Sequence, residues 1–359
     1  MYFTTNNIEF NNQLLNWFTL NKRSLPWRKT NDPYKIWISE VMLQQTKVDT
    51  VIPFYNKWII LYPTIQHVAN ENLDQLLKCW EGLGYYRRCI NFYEACKIIV
   101  NDKNCIIPQD YNDFIKLPGV GQYTASAVFS IAYGHQIPVL DGNVKRVMSR
   151  VIKFNEFIEK GDNVFIQVLN KIITKKTPGL FNEGLMELGS QICKKLNPLC
   201  NKCPINIFCK SYEDNSQNQY PKVQIKKKPV LIEVVAGIIW SKKNFYIQKR
   251  LNKKHLANLW EFPGGKLNKN ENLENALKRQ IKEEIGAKIF IKSKINKIIH
   301  KYSGFSIELT LYNCILKSSI NTNYEYKWIK PTEINLYAFP KANHKLFEHI
   351  AKIGWNNLY

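Results

Sequence analysis

The sequence of 359 residues lacks any apolar run of the roughly 18 residues that a membrane-spanning helix requires. Its longest apolar stretches, such as residues 234–240, have only the length of a β-strand. The amino terminus carries neither the basic segment nor the hydrophobic stretch of a secretory leader, and no internal repeat or long low-complexity tract is present. We therefore expect a cytoplasmic protein without membrane segments, built from about two globular domains.

Acidic residues are few compared with basic ones. Asp and Glu number 29 against 51 Lys and Arg, which gives a formal net charge of +22 and an isoelectric point near 9.5. Such a balance favours polyanionic partners, either nucleic acid or an anionic membrane surface. Because the sequence has no membrane segment, nucleic acid is the expected partner.

The nine cysteines do not suggest a disulfide framework, because a long intracellular chain keeps its thiols reduced. Five are scattered and are expected to be ordinary buried thiols. The other four are separated by six, two and five residues, which is typical of a metal-binding loop: Cys193, Cys200, Cys203 and Cys209. Zinc and iron–sulfur clusters both accept four thiolates, but the single short pair favours iron–sulfur. The alternative is four unrelated buried thiols.

The periodicity of the sequence changes along the chain. Residues 1–212 show amphipathic helices interrupted by prolines, and residues 213–229 have the polar and basic composition of a linker. Residues 230–359 read as strands around one helix, at 273–285. This pattern predicts a mostly α domain followed by an α+β domain.

A glycine-rich turn, Leu117-Pro118-Gly119-Val120-Gly121, separates two predicted helices at 111–116 and 123–132. Glycines allow the backbone to approach a ligand closely, and the N–H groups that begin the second helix can bind an anion. The turn therefore predicts a phosphate-binding site. The alternative is an ordinary connection between helices.

Two carboxylates are candidates for acid–base chemistry. Asp32-Pro33 is typical of a helix start and predicts a helix over 34–47, on which Glu40 shares the apolar face. Burial there would raise its pKa and keep it protonated, as a general acid requires, unless it reaches the surface or pairs with an arginine. Asp141 follows an apolar stretch and precedes a predicted helix over 144–152, so it is either an N-cap alone or a cap that also faces a pocket.

These segments, in this order, resemble the MutY family of adenine DNA glycosylases, within the helix-hairpin-helix glycosylases that include endonuclease III. The resemblance is carried by residues 25–28, 37–46, 82–86, 117–121 and 140–146 and by the cysteine quartet. It implies a multidomain chain with an all-α helix-hairpin-helix glycosylase core that ends in an iron–sulfur loop, followed by an α+β Nudix-like domain. The hairpin falls at about 111–132 and the cluster loop at 193–209.

The resemblance also implies roles for individual residues. Glu40 would protonate the flipped adenine, Asp141 would stabilise the sugar cation, and Tyr123 and Asn143 would support them. The four cysteines would hold one [4Fe–4S] cluster. Substrate and DNA contacts are implied for Arg28, Leu43, Gln45, Thr46, Tyr85, Pro118, Gly119, Val120, Gly121 and Glu183, with Gln45 and Tyr85 as wedges in the base stack. Bifunctional relatives carry a lysine at the position of Tyr123, so base removal with at most weak strand cleavage is expected.

The second domain resembles a Nudix box through residues 259–266, Glu271, Arg279, Glu283 and Glu284. The residue after the arginine, acidic in hydrolases, is Gln280, which suggests recognition without hydrolysis. In the MutY family this domain reads 8-oxoguanine, and Tyr302 and Ser303 match the reading loop while Gly304 replaces its histidine. The implied substrate is duplex DNA with adenine opposite 8-oxoguanine or guanine, bound by a monomer at the nucleoid.

Three alternatives compete with this hypothesis. The first is an endonuclease III-like glycosylase and lyase for oxidised pyrimidines, which Tyr123 and the added domain disfavour. The second is a Nudix hydrolase tethered to a DNA-binding module, which Gln280 disfavours. The third is a DNA-binding protein without catalytic activity, which gives no reason for the placement of Glu40 and Asp141.

Overall fold

A computed structural model describes residues 7–224, 229–251, 256–302 and 304–358. The chain forms two compact units: Met1–Asn70 with Asn91–Lys226, and Glu71–Ile90 with Lys227–Tyr359. The segment Glu71–Ile90 thus belongs to the second unit, although it lies inside the predicted helical domain 1–212. No helix among the described residues is long and apolar enough to cross a membrane.

The first unit is helical, as the sequence predicts. Its α-helices are α1 (Asn7–Asn21), α2 (Pro33–Leu43), α3 (Val48–Leu61), α4 (Ile65–Asn70), α6 (Arg87–Asp102), α7 (Tyr111–Phe114), α8 (Gln122–Ala132), α9 (Gly142–Val151), α10 (Asp162–Ile172), α11 (Pro178–Gln191) and α12 (Lys210–Glu213), of which α6 begins in the second unit. Short 3₁₀ turns occur at Pro26–Lys29, Ile158–Lys160, Cys200–Lys202, Asn206–Phe208 and Gln217–Gln219. The apolar faces of α1, α9, α10 and α11 form one core, and α2 packs against α8.

Both predicted helix starts are confirmed by side-chain caps. The carboxylate of Asp32 accepts a hydrogen bond from the Tyr34 backbone N–H, with Pro33 in the first turn. Asp141 accepts from the Val144 backbone N–H at 2.6 Å and so caps α9. These caps fix the start of each helix that carries or follows a candidate carboxylate.

The helix predicted over 34–47 is shorter than expected. It ends at Leu43, and Gln45 adopts a left-handed backbone with φ 57° before α3 begins at Val48. A non-glycine residue in this conformation cannot continue a right-handed helix. The break turns residues 44–47 into a loop between α2 and α3.

The second unit contains a seven-stranded mixed sheet with the order β3-β2-β1-β6-β5, in which β4 also pairs with β1 and β7 with β2. The strands are β1 (Val230–Ser241), β2 (Asn244–Lys249), β3 (Trp260–Glu261), β4 (Gly264–Lys266), β5 (Ile289–Lys301), β6 (Phe305–Leu316) and β7 (Tyr326–Ile329). Among the strands of the described residues, β1 and β6 alone pair in parallel, from Val230 opposite Phe305 to Trp240 opposite Ile315.

Helices cover both faces of this sheet, because successive residues of β1 point to opposite sides. Val235 and Ile239 pack with α13 (Leu273–Ile285), whereas Ala236, Ile238 and Trp240 pack with α14 (Lys341–Ile353). The unit also includes α5 (Leu73–Trp80) and 3₁₀ turns at Pro331–Leu336 and Trp355–Asn357. This is the α+β domain that the sequence predicts.

Candidate active site

One cavity of about 150 Å³ in the first unit collects all four predicted catalytic residues and four of the predicted substrate-binding residues. The predicted residues that line it are Arg28, Glu40, Leu43, Thr46, Tyr123, Asp141, Asn143 and Glu183. They come from α2, the α2–α3 loop, α8, α9 and its N-cap, α11 and the turn at Pro26–Lys29. The fold therefore brings together residues separated by up to 155 positions in the sequence.

Glu40 is buried on α2, with only 4% of its surface exposed. The Tyr123 hydroxyl on α8 donates a hydrogen bond of 2.5 Å to its carboxyl group. Burial raises the pKa of Glu40 to about 7; the Tyr123 hydrogen bond opposes the increase and the nearby Glu183 and Asp141 add to it. At neutral pH a large fraction of this side chain is thus the neutral acid, able to donate a proton.

Asp141 presents a second carboxylate to the same cavity. One oxygen caps α9, and the other accepts a hydrogen bond of 2.8 Å from the Asn143 amide. Burial raises the pKa of Asp141, while the hydrogen bonds from Val144 and Asn143 favour the charged form and oppose that increase. Arg146 in turn holds the Asn143 carbonyl oxygen at 2.8 Å. The N-cap role and the cavity-facing role are therefore combined in one residue.

An ion-pair network lines part of the cavity. Sequence reasoning missed two of its members, Arg23 and Glu187. Arg28 contacts Glu183 at 3.0 Å and Glu187 at 3.0 Å, and Arg23 contacts Glu187 at 2.7 Å. These guanidinium groups hold the pKa of Glu187 down to about 2, although burial acts in the opposite direction. Glu183 and Glu187 lie one turn apart on α11, a spacing that could have indicated a shared face.

The remaining predicted contact residues of the first unit lie outside this cavity. Gln45 occupies the strained loop position after α2. In the hairpin, Gly119 has φ +76°, and a Cβ there would lie 2.7 Å from Cβ of Asn91. Glycine is therefore required at this turn. Gly121 precedes the first turn of α8, is exposed, and a Cβ there would meet nothing within 4 Å. The start of a helix at an exposed position is where an anion can bind backbone N–H groups.

The four predicted cysteine ligands surround a single cavity, together with Arg150 and Ile205. Within the described part of the chain, no three His, Cys, Asp or Glu side chains are placed to hold one metal ion. A single zinc ion would need four sulfurs at about 2.3 Å from one point. A four-iron cluster instead spreads its thiolates over different iron atoms. Four thiols around one cavity are the kind of donor set that a metal centre with four thiolate ligands requires.

The cysteine loop is held by a buried arginine that sequence reasoning did not single out. Arg150 of α9 donates to the sulfur of Cys193 at 3.2 Å and to the Lys194 carbonyl at 2.8 Å. Burial raises the pKa of Cys203 to about 12 and that of Cys209 to about 11. Thiols in this environment ionise when a cation binds them.

The Nudix-like residues of the second unit are mostly engaged with one another. Arg279 pairs with Glu271 at 2.6 Å and with Glu283 at 3.2 Å. Glu284 accepts hydrogen bonds from the Gly264 backbone and from Gln248. A Cβ on Gly265 would fall 2.0 Å from Oε1 of Gln280, so this glycine makes room for the glutamine.

The predicted lesion-reading segment lies at the turn between β5 and β6. The ring of Tyr302 stacks on Phe305 at 5.2 Å and contacts His300 at 4.6 Å. Gly304 has φ +92°, a conformation that disfavours a side chain. Ser303 lies outside the described residues. Tyr85, the predicted wedge, is 43% exposed in the second unit.

Because its pKa is raised, Glu40 is expected to lower the free energy of unfolding as the pH rises. Glu40→Gln is expected to remove this loss of stability. A shift from 4.5 to about 7 means that folding favours the protonated form, so wild-type stability is full below pH 4.5 and falls as the pH rises to 7. The total cost is about 3 kcal/mol. Urea unfolding at pH 5 and pH 8 should show the variant gaining stability over wild type mainly at pH 8. An equal difference at both pH values would contradict the shift.

The helical fold and the cavity that holds Glu40 and Asp141 indicate a class of protein. Comparison with known proteins confirms that class. Residues 38–164 match the HhH-GPD superfamily of base excision DNA repair proteins, and residues 234–349 match the NUDIX domain. A solved thermostable thymine-DNA glycosylase is 27% identical with a TM-score of 0.54, covering 58% of this chain and 97% of its own. Endonuclease III bound to DNA, at 22% identity and a TM-score of 0.50, shares the fold over 59% of this chain and 99% of its own. The first unit is thus a helical DNA glycosylase domain.

Curated relatives show which base the glycosylase removes, and the first of them matches nearly the full length of both chains. An adenine DNA glycosylase of Buchnera aphidicola subsp. Schizaphis graminum is 35% identical over 94% of this chain and 98% of its own length. The adenine DNA glycosylases of Arabidopsis thaliana and Homo sapiens are 33% and 37% identical over 74% and 58% of this chain, or 48% and 40% of their own lengths. The chain belongs to the adenine DNA glycosylase family and removes adenine in base-excision repair. Glycosylases of this kind act on DNA and typically carry an iron–sulfur cluster.

Proposed function

We propose that this glycosylase removes adenine placed opposite 8-oxoguanine or guanine in duplex DNA, with Glu40 as the general acid and Asp141 as the carboxylate that stabilises the sugar cation. The observation that carries the proposal is that one cavity pairs a buried acid, whose raised pKa keeps a large fraction protonated at neutral pH, with a capped carboxylate. Hydrolysis of a glycosidic bond needs this division between one protonated and one ionised acid.

The reaction begins when the adenine is extruded from the duplex, at a cost of a few kcal/mol, and enters the cavity. Glu40 transfers its proton to a ring nitrogen of the base, and the electron pair of the N-glycosidic bond leaves with the base as neutral adenine. The positive charge that develops on the sugar is stabilised by the Asp141 carboxylate. Water then adds to the sugar carbon, and its released proton returns to a carboxylate of the site.

Tyr123 has two functions in this proposal. Its hydroxyl holds the Glu40 carboxyl at 2.5 Å, and burial raises the pKa of the phenol well above its usual value, so it stays a hydrogen-bond donor. The residues that line the described cavity include no lysine. Because a phenol cannot form a Schiff base, we expect base removal with little strand cleavage.

Arg28 and Glu183 are proposed to bind the adenine, since Glu183 is half-buried on α11, lines the cavity and is held by Arg28. The loop at 118–121 and the first turn of α8 are proposed to hold the phosphate backbone, and Gln45 and Tyr85 to fill the space left by the flipped base. Leu43 at the end of α2 and Thr46 in the loop between α2 and α3 complete the base pocket. The enzyme would act as a monomer on nucleoid DNA.

The opposite base is proposed to be read by the Nudix-like domain, through the turn that contains Tyr302 and Ser303. Tyr302 supplies a ring that is packed between His300 and Phe305, which makes it a rigid contact. The charged groups of the former hydrolase box are tied to Arg279 and Gln248. This domain would therefore serve recognition of the lesion.

The decisive experiment compares duplexes that contain A:8-oxoG, A:G, A:T and an oxidised pyrimidine, each incubated with the enzyme and then treated with alkali. Alkali reveals abasic sites as strand breaks, and omitting it measures lyase activity. The proposal expects cleavage of the first two duplexes only after alkali. Equal processing of A:T, or preference for the oxidised pyrimidine, would contradict it.

Cys193, Cys200, Cys203 and Cys209 are proposed to hold one [4Fe–4S] cluster, which would supply a rigid, cross-linked loop behind the glycosylase core. We expect anaerobically prepared protein to be brown and to contain about four iron atoms per chain. Cys203→Ser should lose most of this iron, whereas Cys314→Ser, which changes a buried thiol of the second unit, should keep it. One zinc ion per chain without iron would refute the cluster.

A further inference from the structure

A helix from the amino-terminal part of the sequence is anchored to the carboxy-terminal domain by polar contacts. Helix α5 and its C-terminal residue Glu81 belong to the second unit. Asp74 pairs with Lys249 of β2 at 2.9 Å, and Lys78 donates to the Tyr337 carbonyl at 3.0 Å. These contacts join residues more than 170 positions apart in the sequence.

Glu81 is the centre of this attachment. Its carboxylate accepts hydrogen bonds from the Phe339 backbone N–H at 2.8 Å and from Nε2 of His344 at 2.9 Å, and it pairs with Lys78 at 2.5 Å. Only 13% of its side chain is exposed. These donors lower the pKa of Glu81 although burial alone would raise it. A half-buried carboxylate with three donors from two chain segments is a strong, directional link.

The loop that begins at the next residue carries the proposed wedge. Gly82 and Gly84 have φ values of 109° and 74°, and Tyr85 itself has φ 50°. The Gly84 carbonyl accepts hydrogen bonds from Trp80 and Arg88, both at 3.1 Å. The loop is therefore a rigid, left-handed turn whose start is fixed at Glu81, and Tyr85 projects from it with 43% of its surface exposed.

We propose that Glu81 is a positioning residue that couples the Nudix-like domain to the loop at 82–86, so that the domain that reads the opposite base also sets the position of Tyr85. The link consists of the hydrogen bonds from Phe339 and His344 to the Glu81 carboxylate, and Glu81 is joined directly to residue 82 through the backbone. This inference rests on the proposed wedge role of Tyr85. It adds that a single side chain, that of Glu81, links the proposed wedge to the domain that is proposed to read the lesion.

The coupling is tested first without DNA. Glu81→Gln keeps the size of the side chain but loses its charge and turns an amide N–H group toward Lys78 or His344. Hydrogen–deuterium exchange should then increase about tenfold or more at residues 82–86 and at the Phe339 amide, because a charge-assisted hydrogen bond is lost. Glu348→Gln, which removes the same charge from the exposed face of α14, should change neither. Unchanged exchange in residues 82–86 would overturn the coupling.

The second test asks whether the coupling acts through the wedge. Single-turnover excision from A:8-oxoG and A:G is measured for wild type, Glu81→Gln, Tyr85→Ala and the double variant. We expect Glu81→Gln to lower the 8-oxoguanine preference about tenfold and to have no further effect once Tyr85 is Ala. Independent effects in the double variant would overturn the proposal.

One further variant and one comparison with wild type keep the outcomes separate. His344→Ala breaks the same link from α14 and should reproduce the exchange increase, so a folding defect specific to α5 can be recognised. If wild type itself shows no preference for 8-oxoguanine, the proposed lesion specificity fails. The exchange measurement then still decides whether Glu81 holds the loop.

Discussion

Glu40→Gln is expected to abolish adenine excision while leaving duplex binding nearly unchanged. The amide has almost the shape of the acid and can still accept a hydrogen bond from Tyr123, but it has no proton to donate. General acid catalysis contributes about 10²–10⁴ in rate. Single-turnover excision from an A:8-oxoG duplex should fall by at least that range, and binding measured by fluorescence anisotropy should not.

The matched control is Glu94→Gln, which makes the same substitution at an exposed position of α6. Excision by this variant should equal that of wild type. In wild type, excision should decline as the pH rises above about 7, because Glu40 then loses its proton. Near-normal excision by Glu40→Gln, or a rate that increases above pH 7, would remove Glu40 from the role of general acid.

The two acids proposed to be catalytic could be located from the sequence because their settings are local. An apolar stripe with the period of a helix predicts that Glu40 is buried, and burial alone predicts its raised pKa. Asp141 precedes a helix, and capping follows from that position. The structure confirms the burial, the cap and the direction of the Glu40 shift.

Other features depend on contacts that local patterns do not encode. The network of Arg23, Arg28 and Glu187 joins the start of the chain to α11, more than 150 residues later. The early end of α2 depends on the left-handed backbone of Gln45, for which the side chain gives little signal. The membership of Glu71–Ile90 in the second unit likewise depends on long-range polar contacts. Sequence reasoning therefore located the two proposed catalytic acids of the cavity better than the groups that hold them in place.

Asp141→Asn is expected to lower excision by roughly 10²–10³ without destabilising the fold, as is typical when one electrostatic contact to a transition state is lost. Asparagine is as good an N-cap as aspartate, so the hydrogen bond from Val144 and the start of α9 should persist. What disappears is the negative charge that faces the developing sugar cation, together with the oxygen that accepts the hydrogen bond from the Asn143 amide.

Thermal unfolding separates the two roles of Asp141. Asp110→Asn is the matched control, because Asp110 caps α7 through the Asp113 N–H and lies on the surface. Both variants should unfold within a few degrees of wild type, as is expected when a cap is replaced by an equivalent one, and only Asp141→Asn should lose excision. If Asp141→Asn retained excision, its carboxylate would be a helix cap alone, and the sugar cation would have to be stabilised by another group of the cavity, whose other acids besides Glu40 are Glu183 and Glu187.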